Sequence, residues 1–318
     1  MAKGTKELKR RITGVKNIQQ ITKAMEMVAT QKLKRLQTRA EAARPFSDKI
    51  QQMVARLAGS VRSDLSPLLQ PRAEVKVRSV LVVSSDKGLC GGFNSNLVRL
   101  VQHEVPRNAG GSHRTRVLGN KGGLLLRGKG IVVLQKYPDH VEKLDFTRVR
   151  NIVRELVAEF VEGKVDEVSV IYTSFKSSVS QKPVVATLLP IRPETLAAVA
   201  GAPGGAAGAH AARAAASAPG ATADAQPDGP AAAADVIIEP STDELLKLLL
   251  PKFLEMKVYS AILESLASEF TSRRNAMKQA TDAADEMIGS LKRQYNRARQ
   301  ESITKELLEV VSGAEALK

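Results

Sequence analysis

Several residue types are scarce in this 318-residue chain, and each scarcity excludes a class of protein. Tryptophan is absent and aromatic residues make up only 3%, which disfavours aromatic-lined grooves for sugars or stacked bases. Cys90 is the only cysteine, so neither a disulfide framework nor a multi-cysteine metal site is expected. No apolar run approaches the ~20 residues that span a bilayer. The sequence therefore predicts a soluble protein of a reducing compartment, without metal or cofactor.

Positive charge is in excess and is concentrated near the N-terminus. The chain carries 48 Lys and Arg against 33 Asp and Glu, a net charge of +15. Residues 1–50 hold thirteen basic and four acidic side chains, whereas residues 252–318 hold eleven and ten. A basic arm of this kind indicates an acidic partner. Charge alone leaves open whether that partner is nucleic acid, an anionic membrane surface or an acidic protein surface.

Both ends of the chain have the apolar period of a long helix, with steps of three or four residues. In the first segment, about 5–57, the predicted stripe comprises Leu8, Ile12, Val15, Ile18, Ile21, Met25, Val28, Leu33, Leu36, Ala40 and Ala43, and it resumes after Pro45 with Phe46, Ile50, Met53 and Leu57. In the last segment, about 252–311, it comprises Tyr259, Ile262, Leu266, Phe270, Met277, Ala280, Ala284, Met287, Leu291, Tyr295 and Ala298, then Ile303, Leu307 and Val310. Pro251 is expected to separate this second helix from a short helix before it.

Helices of this length with one apolar face need a partner along that face. The simplest arrangement is that the two terminal helices pair as one long antiparallel two-helix coiled coil. Small stripe residues would let the two backbones approach closely. The alternative is that each helix belongs to a separate bundle, since a period does not identify the partner.

Between the helices, short β-branched runs alternate with helical stretches, which predicts a Rossmann-like α/β domain with a mostly parallel sheet. Strands are expected at 79–83, 116–118, 131–134, 167–173 and 183–189, and helices at 94–105 and 146–162. The predicted division is an N-terminal helix at 1–58, the α/β domain at 75–192, an insert at 197–234 and a C-terminal helical part at 241–318. The insert is rich in Ala, Gly and Pro and is expected to be a flexible linker or protrusion.

A glycine-rich turn at Gly88, Gly91 and Gly92 lies between a predicted strand and a helix, where phosphates often bind. It matches neither the dinucleotide spacing nor the P-loop. Structural turns are the favoured interpretation and an anion site is the alternative. A nucleophilic Cys90 is also conceivable, although no His or acidic residue lies beside it in sequence. Nucleic-acid binding by the basic helix remains a third possibility, without a recognised motif to support it.

Three motifs, in order along the chain, resemble the gamma subunit of F-type ATP synthases. They are Ile21-Thr22-Lys23-Ala24-Met25-Glu26-Met27-Val28-Ala29, the run from Ser85 to Asn94 (SDKGLCGGFN), and Tyr295-Asn296-Arg297-Ala298-Arg299-Gln300 followed by Ser302-Ile303-Thr304-Lys305-Glu306-Leu307. The resemblance covers nearly the whole chain except the insert. It implies a non-catalytic rotor shaft that couples proton-driven rotation of the c-ring to the conformational cycle of the catalytic beta subunits, during ATP synthesis or, in reverse, hydrolysis.

The resemblance also implies partners and contact residues. The expected partners are the hexamer of alpha and beta subunits, the epsilon subunit and the c-ring. Lys23 and Met25 would lie at an acidic loop of the beta subunit, with Arg35 and Arg39 further along the same helix. Rotor–stator contacts are expected from a set carried over by the motif positions: Lys23, Met25, Arg35, Arg39, Arg273, Gln300 and Thr304.

The insert at 197–234 departs from the family pattern. Photosynthetic relatives carry an extra element at a similar place, and that element contains a cysteine pair that acts as a redox switch. Here Cys90 lies outside the insert, so thiol regulation is not expected. The hypothesis for residues 197–234 is a protrusion that limits back-rotation. The absence of a transit peptide before the first motif indicates a peripheral protein at the cytoplasmic face of a bacterial inner membrane. Whether the coupling ion is H⁺ or Na⁺, and whether synthesis or hydrolysis dominates, stays open.

Overall fold

The structure, a computed structural model, describes residues 3–57, 66–72, 74–105, 112–137, 140–192 and 242–315. The predicted insert at 197–234 lies outside these residues, and the predicted domain boundaries stay a prediction. Helices and strands follow in the order α1 (Lys3–Leu57), β1 (Arg78–Val83), α2 (Phe93–Glu104), β2 (His113–Leu118), α3 (Asn120–Gly128), β3 (Val133–Lys136), α4 (Phe146–Val161), β4 (Glu167–Phe175), β5 (Gln181–Leu189) and α5 (Thr242–Glu315). Two short 3-10 helices lie at Pro67–Leu69 and Val141–Lys143.

The five strands form one sheet in the order β3-β2-β1-β4-β5. Strands β1 to β4 run parallel to one another, and β5 runs antiparallel to β4. The mostly parallel sheet predicted from the β-branched runs is therefore confirmed. Because β2 and β3 lie on one side of β1 and β4 lies on the other, the chain reverses its direction of winding between β1 and β4.

The two faces of the sheet are covered differently. On one face, Val80 and Val82 pack with Val117 and with helix residues such as Leu97 and Leu126 in an apolar core. On the other, the side chain of Arg116 is 1% exposed and forms an ion pair with Glu159 of α4. Arg116 Nη1 also donates to the hydroxyl of Ser79 at 2.8 Å. A buried guanidinium is tolerated here because its donors are satisfied.

The segment from Ser85 to Asn94 is built as a structural turn. The carboxylate of Asp86 accepts hydrogen bonds from the backbone N–H of Val141 at 2.9 Å and of Asn120 at 3.3 Å, at the starts of the second 3-10 helix and of α3. The Asn94 side-chain oxygen accepts from the Ser85 N–H at 3.3 Å. These bonds tie three elements to the end of β1, which supports the structural interpretation of the motif over an anion site.

The described residues belong to two compact units. The first comprises Met1–Leu33, Leu89–Gly91 and Phe270–Lys318, and the second comprises Lys34–Gly88 and Gly92–Glu269. Within the second unit, α5 continues through Pro251, so the predicted break there is wrong. Buried side chains on both sides of Pro251, including Leu250 and Phe253, stabilise the helix by packing and outweigh the local cost of proline. In the part of the chain that the structure describes, no helix combines the length and apolarity that a membrane crossing requires.

Close packing of α3 against the end of β1 generates a stability prediction at Gly122. A Cβ built on Gly122 would overlap the Ser84 side chain, which is buried and donates to the Leu118 carbonyl at 2.8 Å. We expect Gly122→Ala to lower the free energy of unfolding by about 1–3 kcal/mol, the usual cost of overpacking. Urea denaturation of the full chain measures this.

The matched control is Gly128→Ala in the same helix, where a new Cβ meets nothing within 4 Å. This change should leave stability the same or raise it by up to ~1 kcal/mol, because alanine is the better helix former. Equal effects of the two substitutions would contradict the packing seen at Gly122.

Candidate functional site

The parts of α1 and α5 that belong to the first unit pair in antiparallel orientation. The side-chain amide of Gln19 donates to the carboxylate of Asp285. The hydroxyls of Thr22 and Thr281 lie 2.8 Å apart, within hydrogen-bond distance. Lys32 Nζ lies 5.3 Å from the centre of the Phe270 ring. As residue numbers rise along α1, those of the partners on α5 fall, so the predicted antiparallel arrangement is observed.

The α1 side of this contact, which we call the seam, alternates strictly between steps of three and four residues. Its members are at least partly buried: Thr5, Leu8, Ile12, Val15, Gln19, Thr22, Glu26, Ala29 and Leu33. This is the 3.5-residue period of paired helices. It passes through polar and small residues in the middle of α1.

The predicted stripe is therefore wrong in phase over part of its length. Ile18, Ile21 and Val28 were assigned to the buried face, yet they are 56%, 59% and 51% exposed. On α5, Met287 is 54% exposed, whereas the adjacent Ile288 is 6% exposed. The seam lies one residue further along in each case, because small or polar side chains at positions such as Thr22 and Ala29 allow close helix contact.

Two cations lie close to the ring of Phe270 of α5 in the first unit. The Lys32 ammonium and the Arg273 guanidinium each lie 5.3 Å from the centre of its ring. Arg273 is only 9% exposed. Cation–π attraction of this kind strengthens when water is excluded. The sequence reasoning assigned Arg273 to a partner contact and missed this packing, which the spacing of Phe270 and Arg273 on one helix face could have indicated.

The predicted contact residues do not converge on one site. Lys23, Gln300 and Thr304 are exposed, and Met25 is partly exposed in the first unit. Arg35 and Arg39 are exposed in the second unit, where Arg39 donates to the Glu142 carbonyl at 3.5 Å. Along α5, the 27 residues from Arg273 to Gln300 correspond to roughly 40 Å of helix. The exposed members are candidates for an extended contact surface, whereas Arg273 is buried.

Two kinds of exposed surface are available in the first unit. Six basic side chains of α1 there are exposed: Lys6, Lys9, Arg10, Arg11, Lys16 and Lys23. Near its C-terminal end α5 exposes a run of large apolar side chains: Ile303 (49%), Leu307 (60%), Leu308 (61%), Val310 (68%) and Val311 (60%). By the antiparallel register, this end of α5 extends past the first residues of α1. Contiguous exposed apolar side chains of this kind mark an interaction site.

In the second unit, α5 contacts the carboxyl ends of β1 and β4. Ser265 Oγ donates to the carbonyl of Val83, the last residue of β1, at 3.3 Å. Ser268 Oγ donates to the carbonyl of Thr173 in β4 at 3.1 Å. In open α/β sheets, ligands bind outside the strand ends at the point where the winding reverses. Here that point is contacted by the chain's own helix.

Glu264 completes these contacts, and its carboxylate accepts from the hydroxyl of Ser174 at 2.9 Å and from the backbone N–H of Phe175 at 3.4 Å. Burial raises the pKa of Glu264 above its ordinary 4.5, and the two hydrogen bonds oppose that rise. Burial also raises the pKa of Tyr172 to about 12, with a smaller contribution from Glu264. We call Glu264, Ser265 and Ser268, with the strand-end atoms they contact, the strand-end junction.

Sequence comparison relates the chain to known proteins over almost its full length. A family model described as ATP synthase matches residues 4–317. An ATP synthase gamma chain of Chloroherpeton thalassium is 40% identical over 318 residues, covering 98% of each chain. An ATP synthase gamma chain of Moorella thermoacetica is 37% identical over 313 residues, covering 98% of this chain and 99% of the relative.

Solved structures show the same fold. The OSCP, F1 and c-ring assembly of the Euglena gracilis mitochondrial ATP synthase, in rotational state 3, contains a similar chain with a TM-score of 0.63. That match has 16% identity and covers 99% of this chain and 94% of the other. A chain in the central stalk and c-ring of the Tetrahymena thermophila enzyme matches with a TM-score of 0.54 and 24% identity, over 82% of this chain and 99% of that one.

The corrected phase of the seam generates a sharp test on adjacent residues. We expect Ile288→Ala to lower the free energy of unfolding by about 2–4 kcal/mol, since it empties a buried position. Met287→Ala should cost less than about 0.5 kcal/mol, as for other exposed positions. Chemical denaturation of the full chain, followed by helix content, distinguishes them. If Met287→Ala lowered the free energy of unfolding more than Ile288→Ala does, the stripe predicted from the sequence would be correct after all.

Burial of Glu264 generates a pH prediction. Since the folded chain holds the Glu264 proton more tightly than the unfolded chain, this residue stabilises the fold increasingly as pH falls through the raised pKa toward 4.5. Glu264→Gln should remove that dependence. The measurement is the difference in unfolding free energy between wild type and variant across this pH range, with exposed Glu286→Gln as the charge-matched control. A difference that does not vary with pH would contradict the prediction.

Proposed function

Since the chain belongs to the ATP synthase gamma family, we propose that it is the central rotor shaft of an F-type ATP synthase. In this role it couples rotation of the c-ring to conformational cycling of the catalytic beta subunits. The observation that carries the proposal is the antiparallel pairing of α1 and α5. Beyond the paired part, the C-terminal end of α5 exposes large apolar side chains. Two long helices packed along one seam resist twisting better than either helix alone.

The proposed partners are the alpha and beta subunits, the epsilon subunit and the c-ring. The exposed basic side chains of α1 would face acidic groups of the beta subunit. Lys23 and Met25 would lie near those acidic groups. Gln300 and Thr304 would make polar contacts with the surrounding subunits that form and break as the shaft turns. Support comes from their exposure on α1 and α5 and from the structural neighbours, which belong to central-stalk, F1 and c-ring assemblies.

We propose that the chain itself is non-catalytic and that nucleotide chemistry takes place on its partners. Support comes from the strand-end junction, where Ser265 and Ser268 contact the strand carbonyls that would border a nucleotide crevice. A nucleotide-binding domain is the alternative. Titration of the full chain with ATP would favour that alternative if saturable binding occurred.

We place the protein peripherally at the cytoplasmic face of a bacterial inner membrane, held there through the complex. The support is that curated relatives at 37–40% identity are bacterial proteins of the same family. Contact with the membrane itself is not part of the proposal. Proton coupling is expected of the complex as a whole.

Co-purification tests the proposed role. A tagged full-length chain expressed in its source cell should recover alpha and beta subunits in stoichiometric amounts, in a complex that hydrolyses ATP. Recovery of the chain without these subunits would overturn the proposal. Salt-dependent recovery of nucleic acid instead would favour the nucleic-acid-binding alternative.

The proposed contacts predict the effect of two substitutions on α5. Gln300→Ala should lower ATP turnover of the purified complex several-fold while leaving subunit stoichiometry unchanged, because it removes a polar contact made during rotation. Gln294→Ala is the matched control, as it changes an exposed glutamine of the same helix. Arg273→Ala should also lower turnover, but together with helix-pair stability, because Arg273 packs on Phe270. Normal turnover in Gln300→Ala would remove this residue from the contact set.

A further inference from the structure

The strand-end junction joins α5 to both strands at which the sheet reverses its winding. Ser265 contacts β1, whereas Ser268 and Glu264 contact β4. All contact groups belong to the second unit. The same helix continues beyond Glu269 into the first unit, where it pairs with α1. The junction therefore attaches α5 to both strands just before the helix enters the first unit.

Three properties of the junction suit it to fix the rotation of α5 about its own axis. Ser268 is fully buried, Ser265 is 2% exposed, and Glu264 is partly buried. Hydrogen bonds are directional, so their geometry fixes an angle, whereas apolar contacts do not. The helix positions 264, 265 and 268 lie on one face, but they reach two different strands. Rotation of α5 in either direction would therefore stretch at least one bond.

We propose that Glu264, Ser265 and Ser268 are positioning residues that transmit torque between the sheet and helix α5. This inference rests on the proposed rotor function. When the sheet is turned, these directional bonds carry the load to the helix, and the apolar packing around them excludes water that would compete for the same carbonyls.

The test measures torsional stiffness in the assembled complex. The complex is immobilised through its alpha and beta subunits, and a bead is attached at Val179→Cys in the β4–β5 hairpin. Val179 is 95% exposed, and Cys90 is 3% exposed, so within this chain the new thiol is the accessible one. The readout is the angular variance of the bead while ATP turnover is stalled.

We expect the double variant Ser265→Ala/Ser268→Ala to raise the angular variance roughly two-fold, because two of the directional bonds that oppose rotation of α5 are lost. Ser260→Ala, an exposed serine of the same helix, should leave the variance at the wild-type value. A purely structural role would lower the unfolding temperature but leave the variance unchanged, and that result would overturn the proposal.

Glu264 supplies a second pair of variants in case the double alanine variant does not assemble. Glu264→Ala should raise the variance, whereas Glu264→Gln should not, because the glutamine oxygen can still accept from Ser174 and Phe175. Equal variance in both would contradict the inference. Failure of the rotor function is distinguishable, since the wild-type bead would then not rotate when ATP is added.

Discussion

The pairing of α1 with α5 is the constraint on which the rest of the first unit depends. Helices of 55 and 74 residues take most of their stability from packing of one face, and in the first unit that packing lies along the seam. The polar bonds of Thr22 with Thr281 and of Gln19 with Asp285 make that packing specific. Sliding one helix by a heptad would separate both pairs. Polar groups in a helix seam reduce stability but fix register in this way.

The sequence was sufficient to predict the strands, α2, α4 and the two long terminal helices, but neither α3 nor the phase of the long helices. Short β-branched runs identified the strands, since a buried parallel strand has few alternatives. The helical period was equally clear, yet Ile18, Ile21 and Val28 proved exposed while Thr22 and Ala29 proved buried. Sequence reasoning assigns apolar residues to the interior of the chain itself. That assumption fails where large apolar side chains lie on an outer surface and small ones allow close helix contact.

Contacts between distant parts of the chain could not be predicted either, because nothing in the local sequence identifies the partner. Ser265 lies 182 positions from Val83, and Ser268 lies 95 positions from Thr173. Serines within a helix usually have no such partner, so nothing local marks these two. The glycine-rich motif was partly interpretable, because its turns were predicted, but the role of Asp86 in tying α3 and a 3-10 helix to β1 required the fold.

Directional and non-directional interactions are placed in different parts of the molecule, and this division suits the proposed rotor. Hydrogen bonds join α5 to the sheet and α1 to α5, where relative rotation would waste work. The exposed end of α5 instead presents side chains such as Leu307 and Val310. Apolar contact is non-directional, so a surrounding surface can slide past it without breaking specific bonds. Charge on α1 adds long-range attraction that also tolerates changes of angle better than a hydrogen bond does. A shaft that must be stiff along its length yet free to turn among its partners needs this distribution, in which only a few specific contacts, such as those proposed for Gln300 and Thr304, form and break at each step.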